Sequence, residues 1–224
     1  MRRIVISGAD GTGKTTLIDG LAASLRAEGR TVTCVSLWDL YQAPELPRIF
    51  ASRGDAQQYL RAVSSRSRVH FFLHCLYGAL DRAEAAGPVD DLLIDAYWYK
   101  YLAGERALGH WLVRAGLVAD FPVPDVIIEL DAASEVTAAR KQSFGLYECG
   151  LVSADRSSFV AFQQKLRPAL RALVRQQPTR VVELDATRGA AVSLQRALAA
   201  LMEVSEHGAS AARSTHTSWA THRE

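Results

Sequence analysis

The stretch Gly8-Ala9-Asp10-Gly11-Thr12-Gly13-Lys14-Thr15 has the residue types and the spacing to hold a triphosphate. Glycines at these intervals let the main chain turn tightly, so that its N–H groups point into a concave nest that accepts phosphate oxygens. A helix starting here adds partial positive charge, and Lys14 adds a full one at the β- and γ-phosphates. The Thr15 hydroxyl suits ligation of Mg2+. The pattern G-x-x-x-x-G-K-[ST] carries this chemistry when a strand precedes it and a helix follows. Both flanks are present: Ile4-Val5-Ile6 is a short apolar run, and Leu17, Leu21 and Leu25 recur at helical spacing. A dinucleotide loop would need G-x-G-x-x-G, whereas the chain from Gly11 offers G-T-G-K-T-T and lacks the third glycine. The segment Gly8–Thr16 is therefore expected to bind a nucleoside triphosphate.

The elements that must position this loop follow from the apolar pattern. Strands are expected at Arg3–Ser7, Thr31–Leu37, Leu92–Asp95, Val126–Leu130 and Val181–Leu184. Helices are expected over about Lys14–Glu28, Asp55–Ala86, Tyr97–Ala115, Ser134–Gln142, Ser157–Arg175 and Ala190–Glu206. Alternation of apolar strands with helices predicts an α/β fold: a five-stranded parallel sheet with helices on both faces. Ligands of such sheets bind at the carboxyl ends of the strands, where Gly8, Trp38, Asp95 and Asp131 fall. Asp95 closes the run Leu92-Leu93-Ile94. An acid there would support Mg2+ or orient an acceptor phosphate; it would equally cap the next helix.

Bulk properties narrow the class. With 224 residues and 49% apolar content the chain reads as one globular domain over residues 1–206, followed by a flexible tail at 207–224. The histidines of that tail read as solvated rather than metal-binding. A net charge of +2 argues for neither a nucleic-acid nor a membrane-surface partner. Three cysteines without a C-x-x-C point to a reducing interior, and no apolar run approaches the ~18 residues of a membrane span. A cytoplasmic enzyme is the expectation. The chain has no asparagine, so the N-K-x-D guanine-reading motif is absent. His70 and His74 stand at i, i+4, but the apolar Phe71-Phe72-Leu73 between them and the missing glutamate predict partly packed side chains. Tyr97-Trp98-Tyr99 with Tyr101 would line a nucleobase pocket only in part, because a helix spreads them around its circumference.

The order of these motifs resembles thymidylate kinase and its relatives over about residues 1–203. The matching residues are Gly8–Thr16, Asp95-Ala96-Tyr97, Pro124-Asp125 through Asp131, Arg140-Lys141, the stretch Gln142–Arg156, and Asp185-Ala186-Thr187. The resemblance implies phosphoryl transfer from MgATP to a nucleoside monophosphate, a small lid at about 142–156 and, typically, a homodimer. Phosphoryl transfer needs positioning, positive charge and exclusion of water, which a mobile lid supplies. By the same resemblance Arg140 packs against the adenine, Asp185, Ala186 and Thr187 cradle it, and Asp10 bonds the acceptor sugar. Arg140, Lys141 and Arg156 flank the lid and would reach the phosphates on closure, unless they are merely solvated helix charges. Either Arg66 or Arg68 would read the acceptor.

Two departures fall on the acceptor side. Ala96 stands where the family has an arginine gripping the acceptor phosphate; Lys100, one helical turn on, is expected to restore one charge. The family's arginine-bearing segment after the second strand is replaced by Leu37-Trp38-Asp39-Leu40, with Trp38 to stack on a base and Asp39 near sugar or metal. Tyr97 completes the expected acceptor contacts. The readings that follow are a nucleoside monophosphate kinase, a kinase of a nucleoside or other unphosphorylated alcohol, and a nucleotide-binding regulatory module without transfer activity.

Overall fold

Five apolar runs form five parallel strands in the order β2-β3-β1-β4-β5 among the described residues. The structure is a computed structural model and describes residues 1–41, 43, 46, 50–110 and 115–218. The strands are β1 (Arg2–Gly8), β2 (Val32–Ser36), β3 (Asp91–Asp95), β4 (Val126–Asp131) and β5 (Arg180–Asp185). Around them lie α1 (Lys14–Ala27), α2 (Leu37–Tyr41), α3 (Arg53–Ala62), α4 (Ser65–Ala85), α5 (Trp98–Ala107), α6 (Ser134–Arg140), α7 (Arg156–Arg175) and α8 (Ala190–Ser218). The α/β architecture expected from the alternation is the one observed, and it is consistent with a P-loop kinase fold.

Alternating side chains explain why the central strands are apolar throughout. Ile4, Ile6, Leu93 and Ile128 pack with Leu17, Leu21 and Leu201 of α1 and α8. Val5, Leu92, Ile94 and Ile127 pack on the other face with Phe72 of α4, Tyr99 of α5 and Leu166 of α7. Both faces are covered, so neither set of side chains can be polar without a reason. On the α4/α5/α7 face β4 does bury an acid: Glu129 is 2% exposed, and its Oε2 has no hydrogen-bond partner. Its register neighbour Ser7 and the nearby Tyr99 also bury unpartnered hydroxyls. Burial pushes the Glu129 carboxyl up to about 7, with Glu183 and Asp131 adding to the rise against the charge of Arg171.

The helix boundaries differ from expectation where capping or loop geometry prevails over periodicity. The single helix expected over Asp55–Ala86 is two, broken at Val63-Ser64. Ser64 caps α4 by accepting the Ser67 N–H, and the Arg68 guanidinium binds the Leu60 and Val63 carbonyls that end α3. The helix expected over Tyr97–Ala115 ends at Ala107, where Gly109 turns the chain with φ of 87°. A short α2 begins at Leu37, where the second strand was expected to continue. The last helix runs on to Ser218 rather than stopping near Glu206; residues 219–224 lie outside the described residues. His70 and His74 are exposed on α4 rather than packed. Among the described residues no helix is long and apolar enough to cross a membrane.

Candidate active site

The glycine loop is shaped by close backbone approach. Gly8 ends β1 with φ of 146°, and a Cβ there would stand 2.5 Å from the Leu130 carbonyl oxygen. Gly11 (φ 80°) lies beneath α6, where a Cβ would meet the Thr137 carbonyl oxygen at 3.0 Å. Lys14, the first residue of α1, curls back so that Nζ donates to the Gly8 and Ala9 carbonyls at 3.2 and 3.1 Å. Thr12 is buried and its hydroxyl donates to the Ala9 carbonyl. These bonds tie up the Gly8 and Ala9 carbonyls on the inner side of the loop.

A cavity of about 780 Å³ opens from this loop across the carboxyl ends of β1, β2 and β3. At the loop end it is lined by Gly11, Gly13, Lys14, Thr15 and Thr16, and also by Asp95. Asp95 Oδ1 is buried and without a partner. A carboxylate and a threonine hydroxyl are hard oxygen donors, and an orphaned carboxylate oxygen is what a hydrated Mg2+ would satisfy. The residues present fit that ion.

Asp10, Lys100 and Gln163 form a buried knot at the edge of the loop. Lys100 Nζ lies 2.5 Å from Asp10 Oδ1. Gln163 Nε2 donates to Asp10 Oδ2 at 3.2 Å and to the Glu148 carbonyl, while its Oε1 accepts the Asp10 N–H. Burial pushes the Asp10 carboxyl up, yet the charges of Lys100, Lys14 and Lys141 outweigh it and hold Asp10 well below the usual carboxylate range. Burial and then the Lys100 charge push Lys14 down to about 8, against the pull of Asp10 and Asp95. Burial opposes the charge on Lys100 as well, but Asp10 overrides it and the ammonium stays above its usual range.

The opposite end of the cavity is aromatic. Trp38 of α2, Arg53, Gln57 and Leu60 of α3, Phe72 of α4, Tyr101 of α5 and Tyr147 line it. Arg53 stands over the Trp38 ring at 5.5 Å, and Phe72 stacks on Tyr101 at 4.7 Å. Asp39 is also at the wall and accepts the Ser36 N–H at 2.7 Å. Ala96, buried at the root of α5 with φ of 63°, donates its N–H to the Ile6 carbonyl. A second cavity of about 310 Å³ lies between α1 and the loop after β5, lined by Thr12, Thr16, Leu17, Ala186, Gly189 and Ser193 among others. Arg140 lines both cavities and donates to the Ala186 carbonyl at 2.9 Å.

From the segment Gln142 to Asp155, Tyr147 and Glu148 line the first cavity. Lys141 pairs with Glu148 at 2.9 Å and stands over the Phe159 ring. The Leu146 N–H donates to Gln57 Oε1, and Tyr147 OH donates to Glu105 Oε1 at 3.4 Å.

One cavity therefore gathers Asp10, Gly11, Gly13, Lys14, Thr15, Thr16, Trp38, Asp39, Asp95, Lys100, Arg140 and Lys141. Gly8 and Ala9 shape the loop from behind through their carbonyls. Other expected residues lie elsewhere. Arg68 is buried in a two-point ion pair with Glu105, its Nε and Nη2 at 2.8 and 3.0 Å from the two carboxylate oxygens. Arg66 and Arg156 are exposed and do not reach the cavity wall. Tyr97 is a core residue whose hydroxyl donates to the Pro122 carbonyl. Asp185 accepts from Thr187, stabilising the turn after β5, and both line a separate cavity of about 360 Å³ beside Asp131 and Arg167. Asp131 is engaged by Arg167 and Arg171. Residues that sequence reasoning passed over are Arg53, Gln57, Phe72, Tyr147, Glu148 and Gln163. For Arg53 a signal existed: Ser52 and Asp55 form a helix cap, which puts Arg53 in a first turn.

No protein-family model matches the chain. A thymidylate kinase of Oenococcus oeni (strain ATCC BAA-331 / PSU-1) is 27% identical over 198 residues, covering 83% of this chain and 87% of the relative.

Proposed function

We propose that the protein transfers the γ-phosphoryl group of MgATP to a nucleoside monophosphate, with a pyrimidine nucleotide as the acceptor class. The observation that carries this reading is the joining of an anion nest with Lys14 to an aromatic, arginine-bearing end within one cavity. Similarity to a thymidylate kinase supports a nucleotide kinase in general. The free cysteines accord with a reducing cytoplasm.

In this reading the loop amides and Lys14 hold the donor phosphates, and Thr15 and Asp95 hold Mg2+, which supplies charge on the phosphate oxygens. Arg140 and the turn at Ala186 bound the donor base. The acceptor base lies against Phe72, Tyr101 and Trp38. Arg53, with no carboxylate partner among the described residues, binds the acceptor phosphate by charge-assisted hydrogen bonds. The segment from Gln142 to Asp155 closes over the donor phosphates and excludes water, so that the acceptor and not water receives the phosphoryl group.

A second reading, transfer to an unphosphorylated nucleoside, is favoured by Ala96 and by the commitment of Lys100 to Asp10. ADP release across a panel of pyrimidine and purine nucleosides and their monophosphates tests both. Turnover with monophosphates alone supports the first reading. Turnover with nucleosides alone replaces it by the second, and tight ATP binding without turnover on any acceptor overturns both.

A further inference from the structure

Phosphoryl transfer passes through a loose transition state whose charge is spread over the equatorial oxygens, and a cation placed there accounts for a large part of the rate. Besides Lys14, the described cations near the loop can be taken in turn. The loop's own middle position is closed to any side chain, because Gly11 lies against the Thr137 carbonyl. Arg156 is exposed on the first turn of α7. Arg140 is bonded to the Ala186 carbonyl beside the second cavity. Lys141 is paired with Glu148 and stands over Phe159. Lys100 differs from all of these, since its partner belongs to the glycine loop itself.

We propose that Lys100 contacts the transferred phosphoryl group and bears the charge that forms there, held for that task by Asp10. The local fold delivers it. β3 ends at Asp95, the left-handed turn at Ala96 reverses the chain, and the first turn of α5 then faces the loop, with the Lys100 N–H closing on the Tyr97 carbonyl. The Lys100 side chain is 15% exposed and borders the cavity together with Lys14 and Asp95. Asp10 is itself fixed from behind by the fully buried Gln163 of α7, so the ammonium is aimed by a loop residue that a packed helix anchors. In the reaction the bond from the γ-phosphorus to the β–γ bridging oxygen breaks and its electron pair leaves with ADP. An acceptor oxygen supplies the pair for the new bond. Lys100 keeps its proton throughout and shifts hydrogen bonds from Asp10 toward the phosphoryl oxygens. This role rests on the kinase reading, but it moves Lys100 from the acceptor phosphate, where the resemblance and helical spacing together put it, to the group in flight.

The test compares Lys100→Met and Lys100→Arg with the wild-type chain. ADP release is measured with the best acceptor of the panel, and MgATP affinity by calorimetry. We expect kcat to fall about 100-fold in Lys100→Met, the loss typical of one preorganised electrostatic contact, while the Kd for MgATP and the acceptor KM each move less than about fivefold. Lys100→Arg should recover at least a tenth of kcat. Binding of ADP with aluminium fluoride and acceptor, which imitates the transferring group, should weaken far more than binding of MgATP. If Lys100→Met does not fold because Asp10 is left unpaired, the double variant Asp10→Asn/Lys100→Met, which removes both charges, is read in its place. A kcat within a few-fold of wild type overturns the proposal and leaves the kinase reading standing, as does a rise in acceptor KM at unchanged kcat. Absence of turnover in the wild type on every acceptor overturns both.

Discussion

The two ends of the cavity are made of different material. At the loop end the wall comes from one short stretch, Gly11 and Gly13 to Thr16, whose main-chain geometry is set by Gly8 and Gly11. At the acceptor end five separate segments contribute side chains: Trp38, then Arg53 with Gln57, then Phe72, Tyr101 and Tyr147. A backbone-built site leaves little freedom to change what it binds. A side-chain-built site can be re-lined one residue at a time without disturbing the chemistry next to it. In the proposed reading the donor end is accordingly the half less open to change, and the acceptor end the half where Trp38 and Asp39 depart from the thymidylate kinase pattern.

The contrast can be broken most sharply at Lys14. Lys14→Ala removes the cation that caps the nest and should lower turnover at least ~100-fold with every acceptor. A variant whose ADP release stays within a few-fold of wild type would detach the loop from the reaction. Next in size is Arg53→Ala. Loss of a charge-assisted contact of about 1.5–3 kcal/mol should raise the acceptor KM roughly tenfold or more while leaving MgATP affinity in place. Equal weakening of both substrates in a titration would mean that the two ends are not separable. The smallest effect on activity is expected at Glu129, which touches neither end; its signature is stability against pH. A carboxyl raised from 4.5 to about 7 by burial favours the protonated folded state. Its stabilising effect is therefore complete below pH 4.5 and is lost as pH rises through about 7, a difference of about 3 kcal/mol. Glu129→Gln should flatten that slope in urea unfolding curves between pH 4 and 8 with kcat unchanged. An equal slope in the two proteins would show that Glu129 does not titrate in this window.

The same contrast explains what could be read from the sequence. All five strands were legible to within about a residue, because a sheet covered on both faces demands unbroken apolar runs such as Val126-Ile127-Ile128. The glycine loop was legible because its function lies in local spacing. The break between α3 and α4 was not, because it depends on Ser64 as a cap and on Arg68 reaching carbonyls of the preceding helix. Arg68 is one of the two arginines that the resemblance puts at the acceptor; only the fold reveals Glu105 beside it, 37 positions away. Lys100, expected at the acceptor phosphate, lines the cavity and pairs there with Asp10. Helical spacing gives the face of a residue, but the identity of the group across from it is a property of the tertiary structure.

The bond from the Leu146 N–H to Gln57 has a thermodynamic consequence. Gln57 stands in the wall where the acceptor is proposed to lie, and Leu146 belongs to the segment proposed to close over the donor phosphates. Anything that orders one orders the other, so donor and acceptor should bind with positive cooperativity. Linkage requires the factor to be the same in both directions: whatever the acceptor does to the dissociation constant of MgATP, MgATP does to that of the acceptor. Gln57→Ala should reduce both factors together and by the same amount, measured in binding titrations with a non-hydrolysable ATP analogue. The protein would then discriminate against ATP alone not by refusing it, but by holding it loosely until the second substrate arrives.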